Sequence, residues 1–369
     1  MEPTGNLARH LCTLAAIISG IVGSKKTNLP EIANKLPDSS SPKKGKRESR
    51  IKRFARFLQN KSVTTDDFFV PFAKVLLGSL PSGPLVLVMD GSQVGRGCMA
   101  LMVSVLYQQN PKQNPKQNEK MRALPLCWQV IQAPKGHFSQ DAHRELLAKA
   151  KSLIPTGRKV IFLGDGEFDG PDLLADVQAA GWHFVCRTAK NVRLAETDWP
   201  EETFSLSDLD LQPGDCVELT DLLFTAQGFG PVLLGAIWEK GQKEPLLLVS
   251  NLDFLSEARL WYRKRFGIET YFSDQKTRGF CVCHSHLSQP ERLSRLLIAT
   301  SLAYYWMVCL GVEVMQRGWQ RLVHRGNRCD LSLFQLGLVW LEYCLNEGLA
   351  VPVILQMKAA NQQLMENHR

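Results

Sequence analysis

From Leu85 the chain runs LVLVMD, apolar at every position until it closes on Asp90. A run apolar on both alternating faces predicts a strand buried on both sides of a sheet. GSQVGRG, residues 91–97, reads as a turn; Ala100 to Gln108 alternates as a second strand, and Arg122 to Gln132 returns as a third. Between those two lies a tandem PKQN repeat, Pro111 to Asn118, whose polarity predicts the exposed loop of a long hairpin. Asp141 to Leu153 has helical periodicity and a good cap. Lys159 to Gly164 is a fourth strand running into Asp165, Pro171 to Ala180 a helix, and Trp182 to Arg187 a fifth strand.

Asn191 to Lys243 breaks this alternation with short β-like pieces, CVELTDLLFT and PVLLGAIWEK, set between Gly and Pro, so a mostly β insertion is expected. Pro245 to Asn251 is another buried strand, and the polar-striped segment Ser256 to Thr277 follows it as a helix. The chain then reads as helical through Glu291 to Val314, Leu331 to Leu345 and Val351 to Met365. Upstream of Phe69 the pattern is helical and separate, with Leu11 to Val22, Leu29 to Leu36 and Ile51 to Gln59 as short helices and DSSSPKKGKRES as a basic loop. The expected fold is α/β, a mixed sheet whose three hairpin strands, helix, strand, helix, strand order is the ribonuclease H-like arrangement. Five regions follow: helical and basic 1–69, first core part 70–190, β-rich insertion 191–243, last core strand and helices 244–317, and helical 318–369.

Tyr262, Arg265, Glu269 and Lys276 lie three, four and seven residues apart. At about 100° per residue a helix puts all four inside an arc of roughly 60°. One face then carries a phenol, a guanidinium, a carboxylate and an ammonium, although Arg265 and Glu269 are also an ordinary i,i+4 ion pair.

Charge changes the picture only where it is located. The net charge is +8, yet Met1 to Lys61 alone holds thirteen Lys or Arg against four Asp or Glu, leaving the rest of the chain near neutral. A basic arm on a neutral body points to a polyanion, most simply nucleic acid, or to a solubility device. Short helices with Lys52, Arg53 and Arg56 near the third fit a small helix-turn-helix-like DNA-binding unit, or a basic helical subdomain that reads no groove. Ten scattered cysteines form no framework and read as reduced thiols; Cys281, Cys283, His284 and His286 lack the paired spacing of a zinc site. Leu11 to Gly23 lacks the flanks of a signal peptide, and Leu296 to Val312 is interrupted by Thr300, Ser301, Tyr304 and Tyr305, so neither predicts a membrane segment.

Asp90 and Asp165 close two central strands, and Glu269 follows the last one. Ligands gather at carboxyl ends of strands in open sheets. Three carboxylates brought together repel, and hard oxygen donors of this kind suit Mg²⁺ or Mn²⁺, a pair of which activates water at a phosphodiester. Glu167 and Asp169 rival Asp165, which is nearest the strand end.

The full pattern Y-(2)-R-(3)-E-(6)-K, together with VMDGS, LGDGEFDG, PLLLVSNL and the later ERLSRLLIATSLAYYWMV after a short CVCHSH strand, resembles the insertion-sequence-four group of DDE transposases over about Leu85 to Val314. The resemblance implies Asp90, Asp165 and Glu269 as catalytic ligands of two Mg²⁺ ions, with Mn²⁺ substituting, and Tyr262, Arg265 and Lys276 as clamps on DNA phosphates. It also implies that Trp238, in the insertion, stacks on a flipped base, where a core Trp on a strand is the plainer reading. The expected partners are double-stranded DNA, namely terminal inverted repeats and target, and a second copy of the chain. No membrane is expected; a bacterial cytoplasmic location, on the nucleoid when DNA-bound, is. A metal-dependent nuclease that cuts without joining, and a domesticated transposase that only binds DNA, stand as alternatives.

Overall fold

The apolar runs assemble into one mixed sheet of ten strands, which the computed structural model describes together with its helices over residues 4–36, 46–108, 121–133, 138–325 and 330–356. Five helices come first: α1 (Gly5–Ser24), α2 (Leu29–Asn34), α3 (Lys46–Gln59), α4 (Thr65–Phe68) and α5 (Val70–Ser79). Strands β1 (Leu85–Gly95), β2 (Cys98–Gln108) and β3 (Met121–Gln132) form an antiparallel meander. Helix α6 (Gln140–Leu153), capped by the Ser139 side chain on the Ala142 N–H, leads to β4 (Val160–Gly164). Helix α7 (Pro171–Ala179) then leads to β5 (His183–Arg187), and β1, β4 and β5 run parallel. The long hairpin's PKQN loop lies outside the described residues.

The insertion supplies β6 (Arg193–Glu196), β7 (Trp199–Ser205), β8 (Cys216–Phe224) and β9 (Phe229–Ile237), followed by β10 (Leu246–Ser250). Strand order is β3-β2-β1-β4-β5-β10-β9-β8-β6-β7, so the insertion extends the central sheet instead of standing beside it. Strand β10 makes the join, pairing antiparallel with both β5 and β9. Helix α8 (Leu255–Tyr262) packs directly on β9, because Gly235 leaves the space that the Leu255 side chain fills.

Several expectations need correction. Strand β1 does not turn after Asp90 but continues to Gly95, still paired with β2, and the chain reverses at Arg96 and Gly97. The polar-striped segment is not one helix: α8 ends at Tyr262, a 3-10 turn covers Arg263–Phe266, and α9 (Gly267–Gln275) follows. Glycine starts α9 where a Cβ would press on the Leu106 side chain at 2.9 Å, so packing against β2 resets the helix there. CVCHSH is not a strand; Val282–His284 is a 3-10 turn entered through Cys281 in the left-handed region, φ 53°. Val351–Leu355 is not helical either, and residues beyond 356 lie outside the described part.

The centre of the core is α10 (Pro290–Gln316), with almost every residue from Leu293 to Val314 buried. Helices α1 and α10 are each long and apolar enough to cross a bilayer, but α10 is enclosed by protein. The N-terminal helices do not stand apart: Arg295 of α10 donates to the Leu58 and Val63 carbonyls, and Leu14, Ile17, Phe54 and Phe57 join the same apolar core as the sheet. After α11 (Gln320–Val323), α12 (Leu333–Asn346) crosses α10 closely enough that a Cβ on Gly337 would fall on the Met307 carbonyl oxygen, and one on Gly311 on that of Leu333. Backbone cannot give way as a side chain can. Gly337→Val is therefore expected to cost more than the roughly 1–3 kcal/mol of ordinary overpacking, read as a lower midpoint in urea.

Candidate active site

Register brings the first two acids together. Val88 of β1 pairs with Leu163 of the parallel β4, so Asp90 and Asp165, each two residues further, leave neighbouring strands at one level and on one face. Adjacent strands are about 4.8 Å apart. The same count across β4 and β5, where Gly164 pairs with Cys186, sets Arg187 level with Asp165. Three adjacent strands thus present acid, acid and base at one level.

Each acid also serves its local turn. Asp90 Oδ1 accepts the Gly91 N–H at 2.7 Å, and Asp165 Oδ1 accepts the Glu167 N–H at 2.9 Å. Burial, reinforced by the neighbouring Asp165 charge, pushes the Asp90 carboxyl up to about 6, against the pull of the Gly91 N–H and Arg265. This carboxylate sits in a negative, partly dry environment that positive charge would relieve.

Arg265 supplies part of that charge. The 3-10 turn points its guanidinium inward, 8% exposed, between Asp90 Oδ2 at 3.4 Å and Glu269 Oε1 at 3.2 Å. The rings of Tyr262 and Phe266 flank it, 5.8 and 5.0 Å from the guanidinium carbon. Glu269, one turn into α9, keeps 55% of its side chain exposed. Tyr262 is buried, which raises its phenol, and the charges of Arg265, Arg187 and Asp165 all act on its hydroxyl. Tyr262, Arg265, Glu269, Asp90 and Asp165 therefore meet.

Lys276 makes no side-chain hydrogen bond or ion pair with them among the described residues. It caps the end of α9 with backbone outside the helical region, and its charge acts on the Cys283 thiol, whose Sγ lies 3.4 Å from the Gln93 carbonyl. Helix α9 ends at Gln275, and the Lys276 backbone, φ −96° and ψ −119°, has already left the helix. Lys52, Arg53 and Arg56 are exposed on α3, which packs on α1, α2 and α10 and presents a different surface. Trp238 follows β9, half-buried, with Nε1 donating to the Gln242 carbonyl at 3.0 Å. It lines an open cleft of about 570 Å³ with Arg187, Lys190 and Lys243. The rivals of Asp165 are engaged elsewhere: Glu167 accepts the Phe138 N–H at 2.6 Å and lies 3.4 Å from His143 Nε2, while burial raises the Asp169 carboxyl.

Arg187 is the residue that sequence reasoning missed. It lines both the Trp238 cleft and a second one, of about 720 Å³, walled by Tyr262, Arg263 and Phe266. Its signal was present as the last residue of a strand parallel to the one that ends in Asp165.

Hard oxygen donors with a raised carboxyl fit a divalent cation, and Asp90 and Asp165 would be its first ligands. Glu269 stands across Arg265 from them, and among the described residues no three acids, histidines or cysteines are gathered as tightly as a bound ion requires. Completing such a site takes a rotation of the exposed Glu269 side chain.

The profile of the family described as "Transposase DDE domain" matches residues 122–306, half of the chain. The chain belongs to that family. The match spans Asp165, Tyr262, Arg265, Glu269 and Lys276 and begins after Asp90. Membership supports transposase chemistry on DNA with divalent ions, which the family generally uses. No curated protein matches the sequence significantly. Among solved structures, a piggyBac transposase synaptic complex with hairpin DNA is similar at 11% identity, covering 99% of this chain and 76% of that one with a TM-score of 0.45. Aa-Ago with externally bound siRNA (12% identity, 74% and 42% covered, TM-score 0.25) and human ENDOV (13%, 64% and 99%, 0.21) are more distant. All three scores fall below one half, so the family assignment rests on the sequence match.

Proposed function

We propose that this chain is an insertion-sequence transposase of the insertion-sequence-four group, cutting the ends of its element and joining them to target DNA. The observation that supports the reading is that Arg265 bridges Asp90 and Glu269 while register sets Asp165 level with Asp90, in a chain of the transposase DDE-domain family. The β3-β2-β1-β4-β5 order supports a ribonuclease H-like core. When bound by the three carboxylates, two Mg²⁺ ions, or Mn²⁺ in their stead, supply activation of the attacking oxygen and charge stabilisation of the leaving one.

The chain's own groups do the rest. Arg265 offers a planar fork of N–H donors that suits a phosphate as well as it suits Asp90 and Glu269. Tyr262 can donate its hydroxyl to a phosphate oxygen, and burial keeps that phenol protonated. Arg187 adds a second guanidinium beside Tyr262, and Lys276, at the end of α9, holds a backbone phosphate. In the cleft, Trp238 presents a half-buried ring on which an unpaired base can stack. The reaction has two displacements. Water adds to phosphorus as the bond to the 3′ oxygen breaks, freeing a 3′ hydroxyl. That hydroxyl then attacks a target phosphodiester, forming one P–O bond as another breaks.

The substrates in this reading are terminal inverted repeats and target duplex, bound by a homodimer in the bacterial cytoplasm, on the nucleoid. The basic 1–69 region serves the DNA. A related nuclease would stop after the first displacement. Precut ends taken from the DNA flanking the gene, incubated with target plasmid and Mg²⁺, are expected to give joined product. Cleavage of uncut ends without any joining would support the nuclease instead.

A further inference from the structure

Three of the basic arm's thirteen Lys or Arg residues line a groove between α1 and α3. Arg9 on α1 faces Arg53 and Arg56 on α3 across an open depression of about 570 Å³, floored by Phe57 and His10. No carboxylate lines it. Several surface cations elsewhere have partners: Arg144 with Asp176, Lys149 with Asp66, and Arg259 and Arg263 both with Glu239. Arg53 and Arg56 have no ion-pair partner among the described residues, and Arg9 bonds only the neutral Asn6 side chain. Three guanidiniums from two helices are therefore held side by side with their charge uncompensated.

The groove's floor is fixed. The ring of His10 packs edge-on to Phe57 and Phe68, and its Nε2 lies 3.1 Å from the Asn60 amide. Helix α3 rests on buried Phe54, Phe57 and Leu58. The cations thus stand on a packed helical layer, already ordered before any partner arrives, which reduces the entropy lost on binding.

We infer that this groove is a backbone clamp for duplex DNA, holding phosphates of one strand between Arg9 and the Arg53 and Arg56 pair without reading sequence. Guanidiniums donate only and match phosphate oxygens in bidentate geometry. The depression is too small for a duplex to enter, so the strand's rim lies in it while the bases face away. That geometry differs from a recognition helix in the major groove, where base edges would meet α3 itself. The inference rests on the DNA reading given above and names the surface and mode of contact.

Salt dependence tests it. Each phosphate contact contributes about 0.9 to the slope of log affinity against log salt. Arg9→Gln/Arg53→Gln/Arg56→Gln is expected to lower that slope by about 2.7 on the full chain. Wild-type affinity would then fall about fortyfold more than the variant's between about 50 and 200 mM salt. The loss should be equal on random duplex and on duplex carrying the flanking repeats. Arg53→Lys/Arg56→Lys should keep the slope, and circular dichroism should find all variants folded. An unchanged slope, a loss confined to the repeats, or a larger loss on duplex RNA would overturn the clamp. Asp90→Asn should leave the slope intact, so a wild-type chain that binds through the groove yet never cuts would fail the transposase reading alone.

Discussion

Asp90→Asn is expected to lower DNA-end cleavage by at least about a thousandfold, because a group acting as one member of a catalytic unit forfeits most of the enhancement when it is removed alone. The substitution keeps shape and an acceptor for the Gly91 N–H, so the strand end stays as it is. What disappears is the charge that Arg265 faces at 3.4 Å and the oxygen donor level with Asp165. Glu269→Gln should behave alike, since its carboxylate closes the other side of the same guanidinium at 3.2 Å. Cleavage of labelled ends, measured beside binding of the same DNA, checks both. Binding should stay within about twofold, given that neither carboxylate attracts phosphate. Wild-type cleavage by either variant would remove that residue from the site.

The second large effect lies beneath α9, on the side away from Glu269. Arg122 of β3 and Asp274 of α9 form an ion pair at 3.5 Å, with side chains only 9% and 4% exposed. Five residues separate Asp274 from Glu269, which on a helix is about 140°. The pair therefore pins the back of the helix whose front carries the third acid. Burial holds the Asp274 carboxyl up at about 6, even beside Arg122 and Arg278. Desolvation of these charges is poorly offset, as the unpartnered Arg122 Nε and the nearby buried Gln275 amide also indicate.

Asp274→Leu would strand the Arg122 guanidinium in that setting and is expected to cost about 3–5 kcal/mol. Arg122→Met/Asp274→Leu should recover most of it, because an apolar pair of similar volume needs no desolvation. The pH dependence follows from the sign of the shift. Folding raises the carboxyl from about 4 to about 6, so the folded chain holds that proton more tightly. The group's contribution to stability then decreases as pH rises through this window. The double variant lacks that slope and should gain in melting temperature relative to wild type between pH 4 and 6. Equal stability of the Asp274→Leu single variant and wild type would contradict the account.

Much of this architecture was legible because burial leaves a local signature. LVLVMD and KVIFLG are continuous apolar runs because their residues are buried in the sheet, and an acid follows each run, Asp90 within β1 and Asp165 just past β4. The apolar stretch around Leu296 to Val312 became α10, the buried helix on which α12, α1 and β3 pack. Arg187 escaped notice because one basic residue at a strand end carries no pattern. Only the register between β4 and β5 sets it beside Asp165.

Other features had no local sign at all. The stripe of Tyr262, Arg265, Glu269 and Lys276 assumed unbroken helix, but a 3-10 turn at Arg263–Phe266 carries Arg265, and α9 ends at Gln275, before Lys276. Nothing in RKRFG announces that turn; it follows from how closely α9 approaches Leu106 on β2. Likewise the insertion's strands were visible, but their fusion to the sheet through β10 depended on a pairing partner more than sixty residues upstream, in β5. Sequence by itself determined the strands, their order along the chain and the acids that follow their apolar runs, since periodicity is a property of neighbouring residues. Tertiary structure alone decided which side chains meet around Arg265. Distance between elements is set by packing, and packing joins residues that the chain keeps far apart.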